Sequence, residues 1–199
     1  MSLIVWLLLV LLIVMLSWFI SRVAPKVSPT NKGYYSFYRS AYDQSEEELE
    51  EDVHAVQVAS DYRSVSDIEL FEKTDIDIVP VFHQVVPEAS KTRMYWTIHN
   101  PLIHSMIIGT KLYYNRARPY QVANINTLPS RSANTPSYPS GHAVQAFALA
   151  KRLTSQFPEK ATEINYVAEK VADIRKIGGV HYPTDKEFAR RLVDKMFWL

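Results

Sequence analysis

Eighteen consecutive residues without a charge, LIVWLLLVLLIVMLSWFI from Leu3 to Ile20, constrain this chain more than any other feature. As a helix they extend about 27 Å, most of the hydrocarbon thickness of a bilayer. A water-soluble fold does not present such a run as ordinary surface, so the reading is a single-pass membrane anchor over residues 1–22. A cleaved signal peptide would need a basic leader and small residues before the cut, and Arg22-Val23-Ala24 followed by Pro25 serves poorly. Trp6, Trp18 and Phe19 fall near the two interfaces, and Arg22 with Lys26 favours the cytoplasmic side for the body of the chain.

Residues 23–44 mix prolines, serines, Gly33 and tyrosines without helical period and read as a linker that settles against the body. From residue 45 to 199 the pattern is helical. Ser45 and Glu48 have capping-box spacing, Ser66 to Val79 gives a second helix and Ser90 to His99 a third. Asn100-Pro101 opens a fourth, PLIHSMIIGTKLYYNRA, whose short apolar part reads as buried core. Further helices begin near Ser140, span about Glu159 to Lys176, and run from about Pro183 to Phe197. No stretch shows strand alternation between hairpin turns. The expected fold is an all-α helical bundle.

Composition excludes several functions. Lys and Arg number 22 against 21 Asp and Glu, a formal charge of +1, which argues against a nucleic-acid partner and makes any anion site local. With no cysteine there is no disulfide framework, thiol nucleophile or thiolate metal site.

Three clusters carry chemistry. Lys111 and Arg118 lie seven residues apart, two helical turns, so their cations reach one side of the fourth helix and its exit. In TPSYPSGHA, Ser140 caps a helix, Gly141 admits close approach to the backbone, and the free N–H groups of that N-terminus form an anion cradle beside His142. In RKIGGVHYPTD, Arg175 closes a helix and His181 precedes Asp185 by four residues, a spacing that lets the carboxylate fix the imidazole tautomer.

Lys111-x6-Arg118-Pro119, Pro139-Ser140-Gly141-His142 and Arg175-x5-His181-x3-Asp185, in this order, resemble the signature of the type 2 phosphatidic acid phosphatase and vanadium haloperoxidase superfamily. The 19 residues between the first two blocks and the 31 between His142 and Ile174 suit its compact members, the class A acid phosphatases. Where the family has Ser before the third-block Arg, this chain has Ile174.

The resemblance implies a phosphatase: Lys111, Arg118, Arg175, Ser140 and the Gly141 N–H hold phosphate, His181 attacks phosphorus oriented by Asp185, and His142 serves as general acid and then base. It implies no cofactor and no metal. Two other readings are a vanadate-dependent haloperoxidase, whose chains are much longer, and an inactive membrane-tethered scaffold, which the presence of every catalytic residue disfavours. His54, His83, His99 and His104 read as structural.

Overall fold

The computed structural model describes residues 33–35 and 40–196, together with residues 6, 10–12, 14 and 15. The expected anchor, residues 1–22 with its uncharged run Leu3 to Ile20, therefore falls largely outside the described residues, as do residues 23–32 and 36–39 of the expected linker. Among the described residues no helix is long and apolar enough to cross a membrane.

Beyond residue 44 the described chain folds into α1 (Glu46–Asp61), α2 (Val65–Thr74), α3 (Val79–Val85), α4 (Lys91–Ile98), α5 (Pro101–Tyr114), α6 (Pro119–Val122), α7 (Gly141–Gln156), a 3-10 turn (Pro158–Lys160), α8 (Ala161–Ile177) and α9 (Pro183–Asp194). The only extended pairing among the described residues is an isolated bridge between Gly33 and Arg116. The chain is all-α, as its periodicity requires.

Local chemistry sets the helix starts. Ser45 Oγ accepts from Glu48 N–H at 3.1 Å while Glu48 Oε2 accepts from Ser45 N–H at 2.8 Å, and Ser64 with Asp67 repeats the device at α2. The helix expected over Ser66 to Val79 is instead two. It stops at Thr74, Asp77 Oδ1 takes the Val79 N–H at 2.9 Å, and Pro80 opens α3. The end expected at Phe197 falls outside the described residues, and α9 finishes at Asp194.

α7 is the axis of the bundle. It buries Ala143, Val144, Ala146, Phe147, Ala148, Leu149, Ala150 and Leu153 and packs against α8, α9, α4 and α5. Its alanines meet Ile164, Ala168, Val171 and Ala172 of α8, and small side chains on facing ridges let two helices approach closely. Each buried Ile, Val or Leu stabilises by roughly 1.5–3 kcal/mol, so this seam holds fixed the two ends from which the site is built: the N-terminus of α7 and the C-terminus of α8.

α5 departs from expectation. Only Ile103, Ile107 and Lys111 are buried, and Leu102, Met106 and Tyr113 are exposed by 54%, 36% and 68%, so this helix is not a core helix. The described part of the expected linker packs on the body: Asn115 exchanges side-chain bonds with the Tyr35 backbone at 2.9 and 3.0 Å, and Ala41 N–H donates to Tyr114 O at 3.1 Å.

Candidate active site

Lys111 sits in the last turn of α5 and is buried. Its Nζ donates to the carbonyls of Pro136 and Ser137, the latter at 3.2 Å, which leaves one of three ammonium protons uncommitted. Burial, reinforced by the charge of Arg118, holds its pKa well below the ordinary lysine value. Asn115 then ends α5 in the left-handed region, φ 47°. Arg118 is therefore not a helical neighbour of Lys111 two turns on; it reaches the site from an extended residue that caps α6. Its Nε donates to Thr135 O at 2.7 Å and Nη1 to Val180 O at 2.7 Å, while Nη2 has no hydrogen-bond partner among the described residues.

His181 faces Arg118. Its Nε2 lies 3.3 Å from Arg118 Nη1 and its Nδ1 lies 2.9 Å from Asp185 Oδ2. A carboxylate only accepts and a guanidinium only donates, so Nδ1 carries the proton and Nε2 presents its lone pair. Burial first, then the Arg118 charge, pushes His181 well below the ordinary histidine value, against the pull of Asp185. This is a neutral imidazole with a fixed tautomer.

Asp185 is fully buried and saturated. Besides His181 it accepts from Arg116 Nη1 at 2.7 Å, Tyr182 N–H at 3.0 Å and Ser137 Oγ. Burial alone would raise its pKa, but the Arg116 charge and the bonds from His181 and Ser137 outweigh that and hold the carboxyl well below the usual range.

Ser140 caps α7 by accepting from Ala143 N–H at 3.4 Å. His142, in the first turn, sets Nε2 at 3.1 Å from the Asp75 carbonyl, which requires the proton on Nε2. Burial, with the Arg175 charge adding to it, pushes His142 down to about 3 although its ring edge opens to the cavity.

Five of the eight expected site residues, Lys111, Arg118, Gly141, His142 and His181, line a single cavity of about 250 Å³ with His104, Ile107, Ile108, Ser132, Asn134, Thr135 and Gln145. Asp185, Ser140 and Arg175 stand behind its wall. Arg175 Nη2 donates to Asp75 Oδ1, Ser132 Oγ and Ser130 Oγ at 2.9–3.1 Å, while its buried Nε and Nη1 have no partner among the described residues. A cluster of Lys and Arg side chains with unspent donors around one helix N-terminus has the chemistry to hold an oxyanion. Ile174, in place of the family's Ser, is buried against Phe71 and Val180.

Sequence reasoning missed four contributors. Asp75, from the α2–α3 junction, clamps Arg175 with its carboxylate and His142 with its carbonyl; Ser130, Ser132 and Arg131 N–H hold it in turn. These bonds and the Arg175 charge overcome burial and lower its pKa to about 2. Arg116 lies behind Asp185, bridging to Asp52 at 2.7 Å between the rings of Tyr42 and Tyr182. Ser137 completes the carboxylate shell. His104, read as structural, lines the cavity. The proximity of Arg116 to Arg118 was the one available signal; nothing local marks Asp75.

The chain is similar to known proteins in sequence and in fold. A family model described as the PAP2 superfamily matches residues 94–190. Non-specific acid phosphatases of Salmonella typhi and Salmonella typhimurium are each 34% identical over 86 residues, 41% of this chain and 34% of theirs; this chain thus spans about a third of the length of the curated relatives it matches. The crystal structure of a transmembrane PAP2 type phosphatidylglycerolphosphate phosphatase from Bacillus subtilis superposes with a TM-score of 0.55 at 17% identity, covering 78% of this chain and 85% of that one, a likeness of fold. All three sequence blocks, Lys111 to Asp185, lie inside the span, residues 94–190, that is similar to the PAP2 superfamily.

Proposed function

We propose that this chain hydrolyses phosphate monoesters through a phosphohistidine formed on His181. The observation that carries the reading is the fixed tautomer: Nδ1–H committed to Asp185 at 2.9 Å, Nε2 turned toward Arg118 in the cavity. Uncommitted donors on Lys111, Arg118 and Arg175 would take the phosphoryl oxygens, with the Gly141 N–H at the α7 terminus, and stabilise the charge that builds in the transition state. As the Nε2–P bond forms, the ester P–O bond breaks and the leaving oxygen takes a proton from His142. Water then gives a proton to His142 and attacks phosphorus, releasing phosphate and restoring neutral His181.

His142 must be protonated for the first step, yet its pKa is held at about 3 by burial and by Arg175. A phosphate dianion bound beside it reverses that balance, because an opposite charge at contact favours the imidazolium. Substrate binding thus charges its own acid.

The likeness to non-specific acid phosphatases supports the reaction class. An adjoining cavity of about 640 Å³, lined by Tyr34, Tyr120, Ile125, Leu128 and Val180 among others, shares Asn134 with the first and supports an ester with an apolar leaving group. Residues 3–20 would hold residues 45–199 at a membrane as a single-pass anchor. Supporting this, positions 6, 10–12, 14 and 15 are helical, with Trp6, Leu11, Leu12 and Met15 exposed by 54–62%, an apolar surface that water does not favour.

The test separates the two histidines with p-nitrophenyl phosphate, whose leaving group needs little protonation. His142→Ala should give a burst of nitrophenolate near one equivalent per site, then turnover slowed by roughly 10²-fold to 10⁴-fold. Acid-labile phosphoryl label should accumulate on that protein. His181→Ala should form no phosphoenzyme, and label on it would overturn the assignment.

A further inference from the structure

Charge is segregated along this chain in a way the net value of +1 conceals. Residues 43–88, the α1–α3 region, hold fourteen of the 21 carboxylates and two cations, Arg63 and Lys73. The seventy residues from 89 to 158 hold no Asp or Glu and eight Lys or Arg. Lys111, Arg116 and Arg118 are buried in the site, whereas Lys91, Arg93, Arg131 and Arg152 are exposed. Lys91 and Arg93 stand on the first turn of α4, and Arg152 of α7 borders the same shallow cleft as Arg93.

The same acid-free segment exposes its apolar side chains. Leu102, Met106 and Tyr113 recur at i, i+4 and i+11 with exposed Gly109 between the last two, a single outward stripe on α5. Trp96, one turn before the α4–α5 corner, is 71% exposed. A helix apolar on its buried and its solvent face alike is unusual for a surface helix of a water-soluble body. Exposed aromatic and aliphatic side chains on a segment whose own charges are all Lys and Arg, with Asp77 meeting it at Tyr95 Oη, 2.6 Å, match an interface of headgroups over acyl chains.

We propose that the α4–α5 face docks on the surface of an anionic lipid bilayer, through Trp96 and the Leu102–Met106–Tyr113 stripe, with Lys91 and Arg93 on the headgroups. Lipid is the occupant because the segment pairs exposed apolar side chains with charges that are all Lys or Arg, and because residues 3–20 are an uncharged run in the same chain. Docking itself needs no catalysis; its consequence, that the cavity on the inner side of α5 receives phosphate esters from the membrane, rests on the phosphatase reading.

The natural chain has no cysteine, so one introduced thiol gives one labelled site. The full chain carrying Met106→Cys, and separately Leu102→Cys, would be labelled with an environment-sensitive fluorophore and reconstituted in phosphatidylglycerol or phosphatidylcholine vesicles containing a nitroxide-bearing lipid as quencher. Tyr166→Cys, exposed on α8 between Glu163 and Glu169, is the control. Expected are a blue shift and quenching at 106 and 102 in phosphatidylglycerol, loss of both in phosphatidylcholine or with Lys91→Glu/Arg93→Glu, and neither at 166. A water-exposed label at 106 in phosphatidylglycerol overturns the proposal. So does a label shielded without quenching, which means that a second copy or the N-terminal segment covers the face. Because no substrate enters the measurement, failure here leaves the burst experiment on the two histidines untouched.

Discussion

Arg116→Lys keeps a positive charge in place and removes the fork that spans it. The guanidinium donates through Nη1 to Asp185 Oδ1 at 2.7 Å and Thr184 Oγ1 at 2.8 Å, and through Nη2 to Asp52 Oδ2 at 2.7 Å and Gln44 Oε1 at 3.0 Å. Its plane lies between Tyr42 and Tyr182, centroids at 4.1 and 3.9 Å. One ammonium cannot serve both carboxylates in that geometry. Losing one charge-assisted bond costs about 1.5–3 kcal/mol, and weakening the stacked cation adds about 0.5–2 kcal/mol, so the variant should lose about 3 kcal/mol. At roughly 2–4 °C per kcal/mol for a domain of this size, its melting temperature should fall by about 10 °C.

The pH dependence of that loss has a definite sign. Asp185 is held below the ordinary carboxylate range, so its contribution is fully present above the unfolded value near 3.9 and disappears as pH falls through the folded one. The difference between wild type and Arg116→Lys should therefore be largest above about pH 5 and shrink in acid. Urea unfolding at pH 7 and at about pH 3, below the unfolded carboxylate value, measures it, and the acid limb of kcat/KM should move to higher pH as the Asp185 carboxyl rises. A variant within about 0.5 kcal/mol of wild type at pH 7, with an unmoved acid limb, would refute the bridge as a support of the dyad.

Vanadate should inhibit hydrolysis at concentrations far below substrate, since it adopts five-coordinate geometry among the same cations, while EDTA leaves activity intact; activity abolished by EDTA and restored by Mg²⁺ refutes this. Phosphate or vanadate binding at pH 7 should take up close to one proton as His142 leaves its depressed value of about 3, read by calorimetry in buffers of differing ionisation enthalpy; no buffer dependence overturns the charging step. Gly178→Ala should destabilise by about 1–3 kcal/mol, because a Cβ there collides with the buried Phe71 ring, and an unchanged unfolding midpoint contradicts it.

The parts of the site legible in the sequence are those whose partners lie within one helical turn. His181 and Asp185 are four residues apart and Ser140 caps three residues on, so spacing alone dictates their contacts. Asp75 reaches Arg175 across a hundred residues, and only the packing of α2 against α8 brings them together. Arg116 sits two residues before a recognised cation with nothing in its identity to separate support from substrate contact; burial decides that. The apolar pattern of α5 fits both a core helix and one exposed along a stripe, because composition records hydrophobicity and not which neighbours cover it.

The bond between Arg118 and the Nε2 of His181 also governs what the histidine ignores. A lone pair that already accepts from a guanidinium is a poor reactant toward neutral acylating or alkylating agents, which offer the arginine nothing in exchange. An anionic electrophile attracts that arginine to itself, and in doing so uncovers the nitrogen at the distance where attack begins. On the proposed phosphatase reading, discrimination by charge would be exercised before any bond to phosphorus forms, with the arginine acting as a latch that only a negative visitor can lift.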